Sequence, residues 1–253
     1  LSAVSSADGG VTWTGTFTPT DDIEDATNVI TVGTTLTDLA GNAPLAGNNT
    51  SNYTIDTKEP LVSSLVMSDS DLKIGETSTL TITFSEAVTN FDNTDITLEN
   101  GTLTAVSSAD GGVTWTGTFT PTDDIEDTTN VITVGTTLTD LAGNAPLAGN
   151  STSNYGVDTK EPLVSSVVMS DSALKVGETS TLTVTFSEAV TNFDHTDYTL
   201  ENGTLTAIST ADGGVTWTVI FTPTDDIEDA TNVISVGTTL TDLAGNAPLA
   251  VKD

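Results

Sequence analysis

The chain repeats itself, and the period decides what it can fold into. The run Ala-Asp-Gly-Gly-Val-Thr-Trp ends at Trp13, again at Trp115 and again at Trp217, 102 residues apart each time. Asp-Leu-Ala-Gly-Asn keeps the same spacing at Asp38, Asp140 and Asp242, and Asp-Thr-Lys-Glu-Pro begins at Asp56 and Asp158. A unit of this length is a whole domain rather than one turn of a solenoid. The frame predicts the C-terminal half of a repeat over 1–55, a complete repeat over 56–157 and a nearly complete one over 158–253. Half a sandwich lacks the facing strands that would bury its inner surface, so the natural chain is expected to extend before Leu1.

Within the complete repeat, apolar residues alternate with threonine and serine, the period of half-buried strands. Seven strands are predicted, over 61–67, 79–85, 95–99, 102–107, 113–119, 131–138 and 153–157. Threonine and valine abound because β-branched side chains suit a pleated surface. Turns fall at Glu99-Asn-Gly and Asp110-Gly-Gly, and no segment carries the period of a long amphipathic helix. The expected fold class is all-β, with immunoglobulin-like β-sandwich domains in an extended tandem array.

Charge narrows the partners. There are 36 acidic residues against five lysines, a formal net charge of −31. Such a surface offers almost nothing to a phosphate, which excludes nucleic acid and anionic membranes as partners, and it attracts cations. Disorder does not explain the acidity, since 36% of residues are hydrophobic and they alternate regularly. Halophilic adaptation would also produce it and is compatible with metal binding. The absence of cysteine removes disulfides and thiolate zinc sites. No apolar run is long enough to insert in a membrane.

Tracing strand direction suggests where the acids meet. If successive strands reverse, the loops holding Glu86, Asp110 and Asp140 to Asn144 share one end of the domain. The acids of 123–127, together with Asp69, Asp71 and Glu99, share the other. The last strand then hands over to a linker aspartate, so one domain's lower acids face the next domain's upper acids. Calcium takes six to eight oxygens at roughly 2.3–2.6 Å from carboxylates, amides and backbone. The expected sites are therefore at the joints. Asp22, Asp25, Asp56, Glu86, Asp140 and Asn144 would serve the first, and Asp124, Asp127, Asp158, Glu188, Asp242 and Asn246 the second. A weaker candidate lies at Asp92 and Asp95. Against this stands the simpler reading that Asp and Asn merely cap turns. Neither an EF-hand loop nor a glycine-rich calcium nonapeptide is present.

Catalysis is not expected. His195 is the one histidine, and Asn93 takes its place in the preceding repeat. Carboxylate pairs could suggest glycoside hydrolysis, but these acids recur once per repeat in turns. Trp13, Trp115 and Trp217 are expected in the core.

The motifs Asp-Thr-Lys-Glu-Pro, Thr-Phe-Ser-Glu-Ala-Val, Phe-Thr-Pro-Thr-Asp-Asp and Leu-Thr-Asp-Leu-Ala-Gly-Asn resemble bacterial Ig-like repeats over the whole chain. They look most like the extender repeats of giant RTX adhesins exported by type I secretion, including the calcium-rigidified repeats of a marine ice-binding adhesin. That resemblance implies calcium as the bound ion, on Asp158 and Asp242 among others, and a stalk on the bacterial cell surface whose immediate partners are neighbouring repeats. Two alternatives remain: a glycan- or protein-binding adhesive module, and a surface-layer or biofilm matrix protein.

Overall fold

The computed structural model describes residues 1–250. Among them there is no α-helix, and the elements are short strands with two single 3₁₀ turns, Asn93–Asp95 and His195–Asp197. The complete repeat is a two-layer sandwich. One layer runs in the order Gly101–Leu103, Thr114–Pro121, Ser78–Phe84, Val62–Met67. Facing it are two three-stranded pieces. Tyr155–Asp158 lies between Glu126–Asn130 and Asp71–Lys73, and Thr133–Val134 lies between Asn150–Ser151 and Ile96–Thr97. This is the arrangement of an immunoglobulin-like sandwich.

Alternation builds the core. Along Ser78–Phe84, residues Ser78, Leu80, Ile82 and Phe84 are buried while the threonines between them point outward. From the facing layer come Ile132, Val134, Leu138, Tyr155 and Val157. Aromatic rings meet edge to face inside it: Phe84 with Phe91 at 5.2 Å, and Phe119 with Tyr155 at 5.4 Å, contacts worth about 0.5–1.5 kcal/mol each beyond burial. Repeat three rebuilds the same cluster around Leu182, Val184, Phe186 and Val219. Residues 1–55 are different. Of residues 1–52 all but Ser6, Ile23, Asn28 and Ile30 are exposed.

Three details depart from the strand expectations. The segment expected over 131–138 starts earlier, at Glu126, and breaks after Asn130. The cause is a bulge between Asp127 and Asn130, where the fully buried Asn130 amide donates to the carbonyls of Asp127 and Tyr155. The strand expected over 102–107 is interrupted after Leu103. Asp71–Lys73, expected as loop, pairs in parallel with Tyr155–Asp158. Only Leu72 of that segment is buried, too short a pattern to read as a strand. The tryptophans are less interior than expected. Trp115 and Trp217 are partly buried against the cores and donate their indole N–H to Gly112 and Gly214, whereas Trp13 is 59% exposed.

Gly101 allows the closest approach in the sandwich. A Cβ there would lie 2.2 Å from Cζ of the buried Phe119 ring and 2.8 Å from the Thr120 carbonyl oxygen. Gly101→Ala is therefore expected to destabilise repeat two by about 1–3 kcal/mol through overpacking. Urea unfolding of the variant checks it, and an unchanged midpoint would mean that this contact is not tight.

Candidate metal centre

Each joint between repeats gathers three carboxylates. In the first they belong to Asp56, Glu86 and Asp140, in the second to Asp158, Glu188 and Asp242, and within each trio the nearest oxygens all lie within 4.8 Å of one another. The fold brings them there from three directions. Asp158 is the last residue of Tyr155–Asp158, the final strand of repeat two. Glu188 sits between Ser180–Phe186 and Val190–Thr191. Asp242 ends Thr241–Asp242, which pairs with Val190–Thr191, so Asp242 stands directly across from Val190.

The Asp-Leu-Ala-Gly-Asn turn fixes one carboxylate rigidly. Oδ1 of Asp140 accepts the backbone N–H groups of Ala142, Gly143 and Asn144 at 2.8, 2.6 and 2.9 Å. Gly143 takes φ of 100°, a conformation that a side chain resists, which explains the glycine in the motif. Burial raises the Asp140 pKa, but the donors from Asn144, Gly143 and Ala142 outweigh it and hold this acid below its usual range.

The neighbouring acids go the other way. Burial, then the charges of Asp242, Glu126 and Asp158, push Glu188 up to about 7. Burial, then Asp56 and Asp140, raise Glu86. Asp158 is raised by burial and by Asp242. Oε1 of Glu86 and of Glu188 is buried without a hydrogen-bond partner, a costly state for an acceptor. Burial and neighbouring charge thus disfavour the anions of Glu86 at the first joint and of Glu188 and Asp158 at the second, while backbone donors hold Asp140 as an anion beside Glu86.

The asparagines enter as donors. The side-chain amide of Asn246 donates to Asp242 Oδ2 at 2.9 Å and to the Asp158 carbonyl at 2.9 Å. Its Oδ1 accepts the backbone N–H of Ile74 at 3.0 Å, a direct contact from repeat two to repeat three. Asn144 makes the equivalent bonds to Asp140 Oδ2 and the Asp56 carbonyl, at 2.8 and 3.2 Å. Both residues orient the carboxylates.

Asp22, Asp25, Asp124 and Asp127 lie outside the two trios. Asp22 and Asp124 occupy left-handed turn positions, with φ of 58° each. Asp25 and Asp127 are engaged locally, accepting the backbone N–H of Thr27 and Thr129 at 2.8 and 2.9 Å. The glutamate that precedes Asp25 and Asp127 faces the joint instead. Glu24 pairs across from Asp56 and Glu126 across from Asp158. Each also meets the lysine of Asp-Thr-Lys-Glu-Pro at 3.7 Å, Glu24 with Lys58 and Glu126 with Lys160. Sequence reasoning missed these glutamates because the acidic run reads as a loop. As a strand, its alternation sends Glu126 and Asp127 to opposite faces. Asp92 and Asp95 form a capping box around a 3₁₀ turn, and Asp95 also accepts the Thr137 hydroxyl, so these acids have structural partners. His195 is exposed.

The linker is itself stitched down. Thr159 Oγ1 donates to the Thr122 carbonyl at 2.6 Å and accepts the Ile125 N–H at 3.1 Å, and the Thr159 N–H donates to the Ile125 carbonyl at 2.7 Å. Thr57 repeats the pattern on Thr20 and Ile23.

The bacterial Ig-like domain family matches residues 1–55, 56–157 and 158–253, and the chain belongs to that family. It is an array of tandem bacterial Ig-like domains, a class usually extracellular or on the cell surface and typically non-enzymatic. A search of curated proteins found no match. No helix among the described residues is long and apolar enough to cross a membrane.

The raised Glu188 pKa has a signed consequence in cation-free protein. An acid raised from about 4.5 to about 7 on folding binds more protons folded than unfolded between those values. Its penalty is absent below the lower value and fully present above the upper one. The melting temperature is expected to fall as pH rises across that window, and to fall less in Glu188→Gln. Equal pH slopes in the two proteins would contradict the assigned burial.

Proposed function

We propose that the chain is an extender segment of a bacterial surface adhesin, in which calcium bound at each joint stiffens the connection between successive domains. The observation that carries this reading is the repeated carboxylate trio with an unpartnered buried glutamate oxygen. The residues fit a hard divalent cation: every donor is an oxygen, no thiolate exists in the chain, and its one histidine lies elsewhere. Asp158, Glu188 and Asp242 would hold the ion at the second joint, and Asp56, Glu86 and Asp140 at the first. Glu24 and Glu126 add negative charge beside them, and Asn144 and Asn246 keep the acids oriented. The ion would neutralise carboxylates that otherwise repel, and it would tie a strand end of one domain to two loops of the next.

Magnitudes agree with such a role. Extracellular modules bind calcium with Kd of about 0.1–1 mM. At ambient calcium ten to a hundred times Kd, each site contributes roughly 1.4–2.7 kcal/mol, a large part of a domain's marginal stability. Near-identity between repeats supports a length-making role over a recognition role, because a binding face needs a distinctive surface. Export by type I secretion and membership of an RTX adhesin belong to this same proposal, on the motif resemblance alone.

Isothermal titration with calcium tests it residue by residue. The wild-type chain is expected to show two joint sites. The combination Asp158→Asn, Glu188→Gln and Asp242→Asn should remove one of them, while Asp124→Asn with Asp127→Asn should leave both. Unchanged stoichiometry in the triple variant would sink the assignment.

A further inference from the structure

Two neighbouring strands of repeat two end side by side at the second joint. Asp71–Lys73 and Tyr155–Asp158 pair in parallel, with Lys73 beside Asp158. The Gly156 N–H donates to the Ser70 carbonyl at 2.8 Å, so Gly156 and, two residues on, Asp158 turn their backbone groups toward this neighbour. One more rung would join the Ile74 N–H to the Asp158 carbonyl. The Asn246 side chain of repeat three occupies that rung instead. Its Oδ1 accepts the Ile74 N–H at 3.0 Å and its Nδ2 donates to the Asp158 carbonyl at 2.9 Å.

The fit is chemically specific. The second Nδ2 hydrogen goes to Asp242 Oδ2 at 2.9 Å, so both amide hydrogens and the amide oxygen of this buried residue are engaged. Aspartate in its place would set an oxygen against the Asp158 carbonyl and the Asp242 carboxylate. An aliphatic side chain of similar size would leave the Ile74 N–H and the Asp158 carbonyl unpaired.

Both sides of the contact are braced by their own domains. Lys73-Ile74-Gly75-Glu76 is a type II turn, in which the Glu76 N–H donates to the Lys73 carbonyl at 3.1 Å and Gly75 takes φ of 79°. The Glu76 carboxylate also accepts the Lys73 N–H at 3.2 Å. Across the joint, Asp242 Oδ1 accepts the Asn246 N–H at 2.9 Å. The Lys73 side chain lies over that turn, since a Cβ on Gly245 would fall 3.1 Å from Nζ and 3.7 Å from Cδ.

We infer that Asn246 is a key between repeats, completing the end of repeat two's sheet and setting the rotation of one repeat about the linker. The linker and the proposed ion both grip repeat two at Asp158, a single strand end, which leaves rotation about that end to other contacts. Ile74 belongs to the adjacent strand, about 4.8 Å to the side, and a bond there resists rotation. The partner this strand end recognises is another repeat with asparagine closing its Asp-Leu-Ala-Gly-Asn turn. The inference does not rest on a bound cation, because every bond in it joins protein atoms.

The chain has no cysteine, so nitroxides at Thr120→Cys and Thr222→Cys label one exposed position in each of repeats two and three. Double electron–electron resonance then reads the spread of distances between the repeats. The discriminating variant is Ile74→Pro. Proline suits the second position of a type II turn and follows the extended Lys73, so it removes the one N–H and leaves repeat two folded. In calcium and in EDTA alike, it is expected to broaden the distribution against wild type in the same buffer. The ratio of docked to undocked joints should fall about fivefold, as for one lost hydrogen bond. Asn246→Ala should broaden it at least as much. Distributions that superimpose on wild type in both buffers overturn the key. So does broadening by Asn246→Ala alone, because that variant also frees the Asp242 turn inside repeat three. Hydrogen exchange reads the unmutated joint: the Ile74 amide should be protected, and exchange at the rate of an exposed turn overturns the key as well. A wild-type distribution indifferent to calcium counts against the ion, and the Ile74→Pro comparison still decides the key.

Discussion

The structure turns on how the last strand of one domain ends in the first acid of the joint with the next. Tyr155–Asp158 is held on both edges, which fixes the direction in which Asp158 leaves the sandwich. One residue later, Thr159 is bonded to Thr122 and Ile125, so the chain cannot swivel freely at the exit. Everything at the joint follows from that hand-over. Asp158 arrives beside Glu188 and Asp242 because its strand is paired to its final residue, and Asn246 reaches back to Ile74 because the two domains are brought end to end.

This arrangement is strained by charge in a way that the sandwich cores are not. The cores are ordinary, with alternating strands, edge-to-face rings and few polar atoms without partners. The joints place three acids within 4.8 Å, bury an oxygen without a donor and push Glu188 toward neutrality. The Asp140 and Asp242 turns, by contrast, supply backbone donors to their own aspartates, so one carboxylate of each trio is held in place. A site that is partly prepared and partly repelled is one whose geometry would respond to a bound cation. The proposed stiffening by calcium draws on that contrast.

The fold was largely legible in the sequence because its signals are local and repeated. The period of 102 residues framed the repeats, and alternation along 79–85 and 113–119 located the central strands. The trio residues were legible for a related reason: Asp56, Glu86 and Asp140 each sit where a strand gives way to a turn. What could not be read depends on pairing at a distance. Glu126, rather than Asp127, faces the joint because its strand pairs in register with Asp158, and a bulge at Asn130 closes that register. The parallel strand Asp71–Lys73 exists only through its partner. That Asn246 also accepts the Ile74 N–H across the domain boundary is a contact no local motif announces.

Small-angle X-ray scattering of the chain in calcium and then in excess EDTA tests the central claim most directly. Locked joints predict a long, narrow particle in calcium whose maximum dimension and stiffness fall on chelation. Superimposable profiles in the two conditions would contradict calcium as the lock and leave joint stiffness to the Thr57 and Thr159 stitching and the Asn144 and Asn246 hydrogen bonds.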